Sequence, residues 1–439
     1  MAGVGLVFVA TVFRSLPAGV AFFTVITFFE RLPATPTEGV SGLKIAGATL
    51  AGAWALVVLN RRRQAPFLLR DHPIVGYCAV LLVGWAGASM LWAPDSGIAF
   101  SDAIRLLQGV MLLLIVFTAV EDRRGLEWIV WAFMGGAALS VAVGLLGPSA
   151  GEADVVDTGS RLTGQIGDPN ELAAILVPAL VLAALMLTGR RGPLARWLLV
   201  SFTIVFAAAL FLTQSRGGLV AFAATVLVAP LLAGAARART IAVLLTVVAA
   251  GVTYYGFFAS EDSRKRVTTF EEGGGSGRPD LWSISYQVFR DRPVTGAGMG
   301  NFLVVEAEYA ARDDLDLERV DLVVDDPKVV HNTYLHVLAE LGLVGLVAFG
   351  AVVGGAVGIG WRAIRRFARA GLHELEMLAR ALLIGTIGML AAYAFISAQY
   401  EKQLWLLLGL MAALGTIASR AEGAAQSLRE GPSPPRRNS

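Results

Sequence analysis

Residues 334–360 read YLHVLAELGLVGLVAFGAVVGGAVGIG, and past Glu340 no charged side chain occurs until Arg362. A helix rises about 1.5 Å per residue, so some 20 such residues cross the ~30 Å hydrocarbon core of a bilayer. This stretch is read as a membrane-spanning helix. Eleven further apolar runs accompany it, near 8–29, 43–59, 74–91, 102–120, 126–147, 171–188, 197–213, 218–235, 239–258, 378–397 and 403–419. The predicted fold is an all-α polytopic membrane bundle of about 12 transmembrane helices.

Composition agrees with this reading. The 439 residues are 56% hydrophobic and 16% charged, with a mean hydropathy of +0.65, more apolar than a soluble domain can hide. A net charge of +2, with arginines scattered between apolar runs, gives no reason to expect nucleic acid as a partner. The single cysteine, Cys78, lies in an apolar run, which leaves no intramolecular disulfide and no cysteine metal site. The start Met1-Ala2-Gly3-Val4 lacks the basic region of a cleavable signal peptide, so the first run is expected to be a retained span.

Arg61 to Arg63, Arg123 with Arg124, Arg190 with Arg191 and Arg196, Arg237 with Arg239, and Arg362 with Arg365, Arg366 and Arg369 fall on alternate connections. The positive-inside rule makes that side cytoplasmic, with both termini on it. The tail 420–439, ending Gly-Pro-Ser-Pro-Pro-Arg-Arg-Asn-Ser, is predicted to be disordered. The chain then divides into spans one to nine (1–258), an extracytoplasmic loop (259–333), spans ten to twelve (334–419) and the tail.

The large loop carries the polar character of the chain. Arg278-Pro279 opens an amphipathic helix whose face includes Leu281, Trp282, Ser285, Val288 and Phe289. Gly296, Gly298 and Gly300 resemble half of a dinucleotide fingerprint, but no strand precedes them, so they are read as a backbone turn. From Glu306 to Asp326 nine carboxylates face two arginines, which suggests an acidic cap. Asp314 and Asp316 match a carboxylate pattern common by chance in such a loop, and carry little weight. In the connection 148–170, Asp168 or Asn170 is placed to cap the sixth span.

Arg216 occupies a short connection on the extracytoplasmic side, where the charge rule does not call for an arginine. Arg278 starts the loop helix and can reach the same mouth. Two guanidiniums there suit a phosphate or diphosphate. A phosphate-bearing membrane lipid is the natural ligand. Arg105 and Arg161, on the same face, join the substrate-binding candidates. His331 stands before span ten, where a neutral imidazole can accept a hydroxyl proton. Asn332, Tyr334 and His336 sit beside it as further substrate-binding candidates, with Glu340 following. His331 and His336 are five apart, about 140° around a helix, so they do not make an i, i+4 zinc pair. No metal and no cofactor is expected.

Arg161-Leu-Thr-Gly, Asp168-Pro-Asn-Glu-Leu-Ala, Ser215-Arg-Gly-Gly, Gly277-Arg278 with Trp282, Thr295-Gly-Ala-Gly-Met-Gly-Asn-Phe, and His331-Asn-Thr-Tyr-Leu with Ala339-Glu-Leu-Gly-Leu-Val-Gly-Leu occur in that order. In these pieces the chain resembles the O-antigen ligase and polymerase superfamily of bacterial membrane glycosyltransferases of the GT-C type. The resemblance implies a metal-independent inverting transfer of a glycan from undecaprenyl diphosphate to an acceptor hydroxyl. Arg216 and Arg278 would hold the diphosphate, and His331 would be the general base. Lipid A core or another glycan would be the acceptor, on the periplasmic side of the inner membrane.

Three alternatives remain beside a ligase. A repeat-unit polymerase often carries two sizeable external loops, each with an arginine eleven residues before a glycine. Here Arg264 and Gly275 have that spacing, whereas the residue eleven beyond Arg161 is Leu172, so one large loop favours the ligase. A protein O-oligosaccharyltransferase differs only in acceptor. A transporter, the non-enzyme reading, would keep its ionisable groups at mid-membrane in repeated halves.

Overall fold

A computed structural model describes residues 2–29, 42–61, 66–146, 161–189, 191–268, 278–312 and 328–430. The described residues are helical, without a strand. In chain order the helices are α1 (Ala2–Arg14), α2 (Leu16–Ile26), α3 (Gly42–Arg61), α4 (Leu68–Asp71), α5 (Pro73–Ala88), α6 (Ser96–Ala119), α7 (Arg123–Leu146), α8 (Pro169–Met186) and α9 (Pro193–Leu212). They continue as α10 (Arg216–Leu232), α11 (Arg237–Thr253), α12 (Glu261–Thr268), α13 (Arg278–Asp291), α14 (Phe302–Ala310), α15 (Thr333–Arg369), α16 (His373–Ala392) and α17 (Lys402–Glu430).

Ten helices are long and apolar enough to cross a membrane: α3, α5, α6, α7, α8, α9, α11, α15, α16 and α17 with their flanking turns. The chain is a multi-pass membrane protein. The runs 8–29 and 218–235, also expected as spans, are carried by shorter apolar helices. The run 8–29 is not one helix, because Pro17 has no N–H to donate to the preceding turn and Ser15 is extended, at φ −154° and ψ 108°. α1 and α2 fold back on each other there, with Phe8 and Phe22 at 5.4 Å and Val12 against Gly19. Their 13 and 11 residues reach about 20 and 17 Å, short of the ~30 Å core. The run 218–235 is carried by α10, whose 17 residues fall just below the length of the other spans. α17 continues past Arg420 to Glu430. No Gly-Pro pair breaks it before Gly431, and Glu422 pairs with Arg366 at 3.2 Å and Arg369 at 2.7 Å.

α8 is the centre of the bundle, its residues from Leu172 to Met186 all buried between α9, α10 and α16. Small residues permit that packing, which in lipid depends on close backbone approach. A Cβ at Gly385 would stand 2.9 Å from the Cα of Pro178, and one at Gly409 would stand 2.9 Å from the carbonyl of Leu113. Trp405 on α17 is fully buried over Gly109 of α6.

The two ends of the bundle differ chemically. At one end Arg123 pairs with Glu127 at 3.1 Å and with Glu374, Arg191 meets Glu127 at 3.1 Å, and Arg380 meets Glu376 at 2.7 Å. Arg239 donates to the Thr188 carbonyl at 3.3 Å. These are residues of the connections read as one side of the membrane; Arg62, Arg63 and Arg190 lie outside the described residues. The helices α13 and α14 gather at the other end on a small core of their own, with Leu281, Ile284, Val288, Phe302 and Val305 packed under Val330. Asp314, Asp316, Gly275 and most of the acidic stretch lie outside the described residues.

One backbone exchange fixes that core to the bundle. α15 is interrupted at Gly342, where φ is +62° and ψ is −163°. An interrupted helix leaves carbonyls without partners, which is costly away from water. The carbonyls of Ala339 and Glu340 accept from the N–H groups of Ala297 and Gly298, both at 2.8 Å, and the Leu343 N–H donates to the Pro293 carbonyl at 2.8 Å. The glycine turn is therefore a splice into the gap of α15. A Cβ at Gly342 would lie 2.3 Å from the Val294 carbonyl oxygen, whereas one at Gly354 on the same helix meets nothing within 4 Å. A positive-φ position costs a substituted residue about 1–3 kcal/mol before any clash. Gly342→Ala is expected to lower the thermal midpoint in detergent by several degrees, and Gly354→Ala to leave it unchanged. Equal midpoints for the two variants would contradict the splice.

Candidate functional site

Four helices begin together at the end opposite the arginine–glutamate belt: α8, α10, α13 and α15. Asp168 caps α8 by accepting from the N–H groups of Asn170 at 2.6 Å and Glu171 at 2.9 Å. Ser215 caps α10 through the Gly218 N–H at 3.1 Å. Asn332 caps α15 through Tyr334 at 3.0 Å and Leu335 at 3.1 Å. Two of these caps are preceded by a non-glycine residue in the left-handed region, Gln214 at φ +50° and His331 at φ +52°. Such positions cost about 1–3 kcal/mol and persist where surroundings impose them. They turn the chain sharply into α10 and α15, so that Arg216 and His331 stand at the mouth.

The guanidiniums converge there. Arg161 donates to the Thr213 carbonyl at 2.9 Å and to Asn170 Oδ1 at 3.0 Å, and Ser215 Oγ donates to the same Asn170 oxygen at 2.8 Å. Arg216 donates to the carbonyl of Arg266. Arg161 is pushed down to about 10, by burial first and then by repulsion from Arg266 and Arg278, against the pull of Asp168. Burial also lowers Arg278, with Asp168 attracting and Arg216 repelling it. Arg161 and Arg278 thus share the Asp168 carboxylate, with Arg266 and Arg216 adding their repulsion, at the positive ends of helices, each end worth roughly half a charge. The Nε of Arg278 is buried without a hydrogen-bond partner among the described residues, and an unmet buried donor costs about 1–3 kcal/mol. A multivalent anion would supply the missing acceptor and remove the repulsion.

His331 sits beside this cluster, half-buried. It is held down to about 4, by burial first, then by Arg278, with Asp168 opposing and His336 and Lys328 adding to the repulsion. The imidazole is therefore neutral at physiological pH, the state in which it can accept a proton. Trp282 of α13 donates to the Val330 carbonyl at 3.1 Å, which ties the Arg278 helix to the residue before His331.

The other sequence candidates are placed as follows. His336 is buried, with Nε2 3.0 Å from Glu340 Oε1 and Nδ1 3.3 Å from Gln399. Glu340 Oε1 also faces the Phe302 N–H at 3.4 Å, and its Oε2 is buried without a partner among the described residues. Tyr334 donates to the Leu390 carbonyl at 2.6 Å, and the Asn332 oxygen is taken by its cap. Arg105 pairs with Asp102 at 3.2 Å and lies 4.7 Å over the ring of Tyr400, whose hydroxyl donates to Asp102 at 3.1 Å. The structure thus joins Arg161, Arg216, Arg278 and His331, whereas Arg105, Tyr334 and His336 are engaged in neighbouring contacts. Arg266 and the linking amide of Asn170 went unread in the sequence. The run Arg264-Lys265-Arg266 carried a signal, being a basic cluster on the side where Arg216 was already out of place. Among the described residues no cluster of His, Cys, Asp and Glu has the arrangement of a metal site.

Filling the mouth with an anion should release His331 from part of its repulsion and raise its affinity for a proton. In protein carrying carbon-labelled histidine, the His331 ring, assigned with His331→Gln, is expected to titrate near 4 in the ligand-free state. Its midpoint should move upward in Arg278→Gln or on addition of pyrophosphate. A ring that titrates at the ordinary value of about 6.5 in the free protein would contradict this electrostatic coupling.

No curated protein matches the chain. Residues 199–350 match the family model described as O-antigen ligase. The match runs from α9 through Arg216, Arg278 and His331 into α15, and so contains the mouth, the small helical core and the splice, while Arg161 and Asp168 precede it. Over residues 199–350 the chain is similar to the O-antigen ligase family.

Proposed function

We propose that the protein transfers a glycan from undecaprenyl diphosphate to a hydroxyl of lipid A core or another glycan, with inversion, as an O-antigen ligase does. The observation that carries this reading is the gathering of Arg161, Arg216, Arg266 and Arg278 around the start of α15, where His331 stands neutral. The acceptor hydroxyl gives its proton to His331, and its oxygen attacks the anomeric carbon from the face opposite the diphosphate. The bond from that carbon to the diphosphate oxygen breaks, and the leaving diphosphate keeps the electron pair. Arg216 and Arg278 stabilise the charge that develops on it. Guanidiniums in this arrangement supply the charge that a divalent ion supplies elsewhere. Base and anion are coupled, because proton uptake by His331 is eased once the diphosphate offsets Arg278.

A lysine offers a point charge and cannot make paired contacts with a diphosphate. Arg216→Lys and Arg278→Lys are each expected to lower transfer about 100-fold or more, the scale set by removing an oxyanion donor. His331→Ala should cost a comparable factor while diphosphate binding persists. EDTA should leave the wild type active. Activity that disappeared with chelator and returned with magnesium would overturn the assignment of the arginines, and a fully active His331→Ala would return that residue to a turn-forming role.

Under this reading the mouth opens outside the cytoplasm of a bacterial inner membrane, and the arginine–glutamate belt faces inward. In a Cys78→Ser background, Ser276→Cys is expected to react with an impermeant maleimide in cells with a permeabilised outer membrane, and Ser433→Cys is not. The reverse pattern would invert the topology. A polymerase and a protein glycosyltransferase share the mouth and differ in acceptor. Deletion of the gene distinguishes them: long ladders held on the carrier lipid support a ligase, while accumulated single repeat units support a polymerase. The transporter reading would draw on the break in α15, whose carbonyls and N–H are taken instead by backbone from residues 293–298.

A further inference from the structure

The geometry points to Asn170 as a further ligand-binding residue of the mouth, its Nδ2 donating to a phosphoryl oxygen while Arg161 and Ser215 hold the amide from the other side. The inference rests on the proposed function for the diphosphate and adds a neutral donor to the arginines. Asn170 follows Pro169 in the first turn of α8, where its backbone N–H is spent on the Asp168 cap at 2.6 Å. It precedes the stretch 199–350 that is similar to the O-antigen ligase family.

The neighbours of the amide fix which end faces which way. A guanidinium can only donate, so the atom 3.0 Å from Arg161 Nη2 is the oxygen, Oδ1. Ser215 Oγ, 2.8 Å from the same oxygen, gives its proton there while it accepts from the Gly218 N–H at 3.1 Å. Arg161 is held in turn by the Thr213 carbonyl at 2.9 Å. Oδ1 is thus engaged by two donors, and the N–H bonds of Nδ2 point away from them. Nδ2 has no acceptor among the described residues, and the half-buried side chain does not seal it in the interior. A cation bound to the oxygen polarises the amide and strengthens its N–H groups as donors. Arg161 therefore acts on an anion through Asn170 as well as by its own charge. A further cation would add to the repulsion from Arg266 and Arg278 that, after burial, holds Arg161 down at about 10. An amide adds hydrogen bonds without that repulsion.

The test is solid-state NMR on the full chain in phospholipid nanodiscs, with nitrogen-labelled asparagine and with inorganic pyrophosphate as the probe. The side-chain nitrogen of Asn170, assigned with Asn170→Ala, is expected to couple to phosphorus at about 4 Å or less, the separation of a hydrogen-bonded amide nitrogen and phosphate. Asn170→Ala keeps every charge of the mouth and should bind pyrophosphate about 10-fold more weakly by calorimetry, the scale of one hydrogen bond to a charged group. An Asn170 that only held Arg161 in place would also weaken binding when removed, but its nitrogen would show no phosphorus. Pyrophosphate bound with phosphorus near arginine carbons and none near this nitrogen would overturn the role of Asn170 and leave the diphosphate reading intact. Wild-type affinity in Asn170→Ala would overturn it as well. Absence of pyrophosphate binding by the wild type would remove both readings.

Discussion

The carbonyls released where α15 breaks at Gly342 must find donors in surroundings without water, and residues 297 and 298 provide them. That exchange anchors the segment between α13 and α14 to the bundle. α13 is then held against the first turns of α15, with Trp282 bonded to the carbonyl of Val330. Arg278 and His331, more than fifty residues apart in sequence, are neighbours because of this anchoring. Asn301 adds to it by bonding the backbone of Asp95 in both directions, at 2.7 and 3.0 Å, ahead of α6. The mouth is therefore an assembly of helix starts held by these contacts.

The chemistry follows from what such an assembly does to charge. Guanidiniums that repel one another, a buried Nε without an acceptor among the described residues, and a histidine kept neutral at the same place describe a site short of negative charge. Binding of a diphosphate lowers the free energy of each group together. Under the proposed function the same event prepares His331 as the base, because a proton on it is no longer opposed by an uncompensated Arg278. Helix starts contribute fixed donors to the same volume. A single-phosphate ligand would satisfy only part of this set.

Hydropathy made most of the spans legible, since ten of the twelve apolar runs coincide with helices of membrane-crossing length. The exceptions have local causes. The first run was read by composition alone, although Ser15-Leu-Pro17 marks a turn within it. The break at Gly342 left no trace in the pattern, because glycines recur through α15 without consequence, as at Gly354. Charge out of place drew attention to Arg216, and the structure gathers Arg161, Arg278 and His331 at the same end. Arg266 was hidden because its contribution comes from a helix folded back over the mouth, a tertiary fact. His336 and Glu340 were visible as buried ionisable residues, while their pairing with Gln399, some sixty residues later, was not.

The central claim is that phosphorus sits among these arginines. Solid-state NMR can measure it directly, as the distance from the phosphorus atoms of bound undecaprenyl diphosphate to the guanidinium carbons of labelled arginine, in membranes free of divalent ions. The account predicts contacts within about 5 Å, the range of a hydrogen-bonded guanidinium and phosphate, and their loss on substitution of Arg278 by glutamine. Bound diphosphate lipid with no phosphorus near any arginine carbon, or contacts that survive that substitution unchanged, would contradict it.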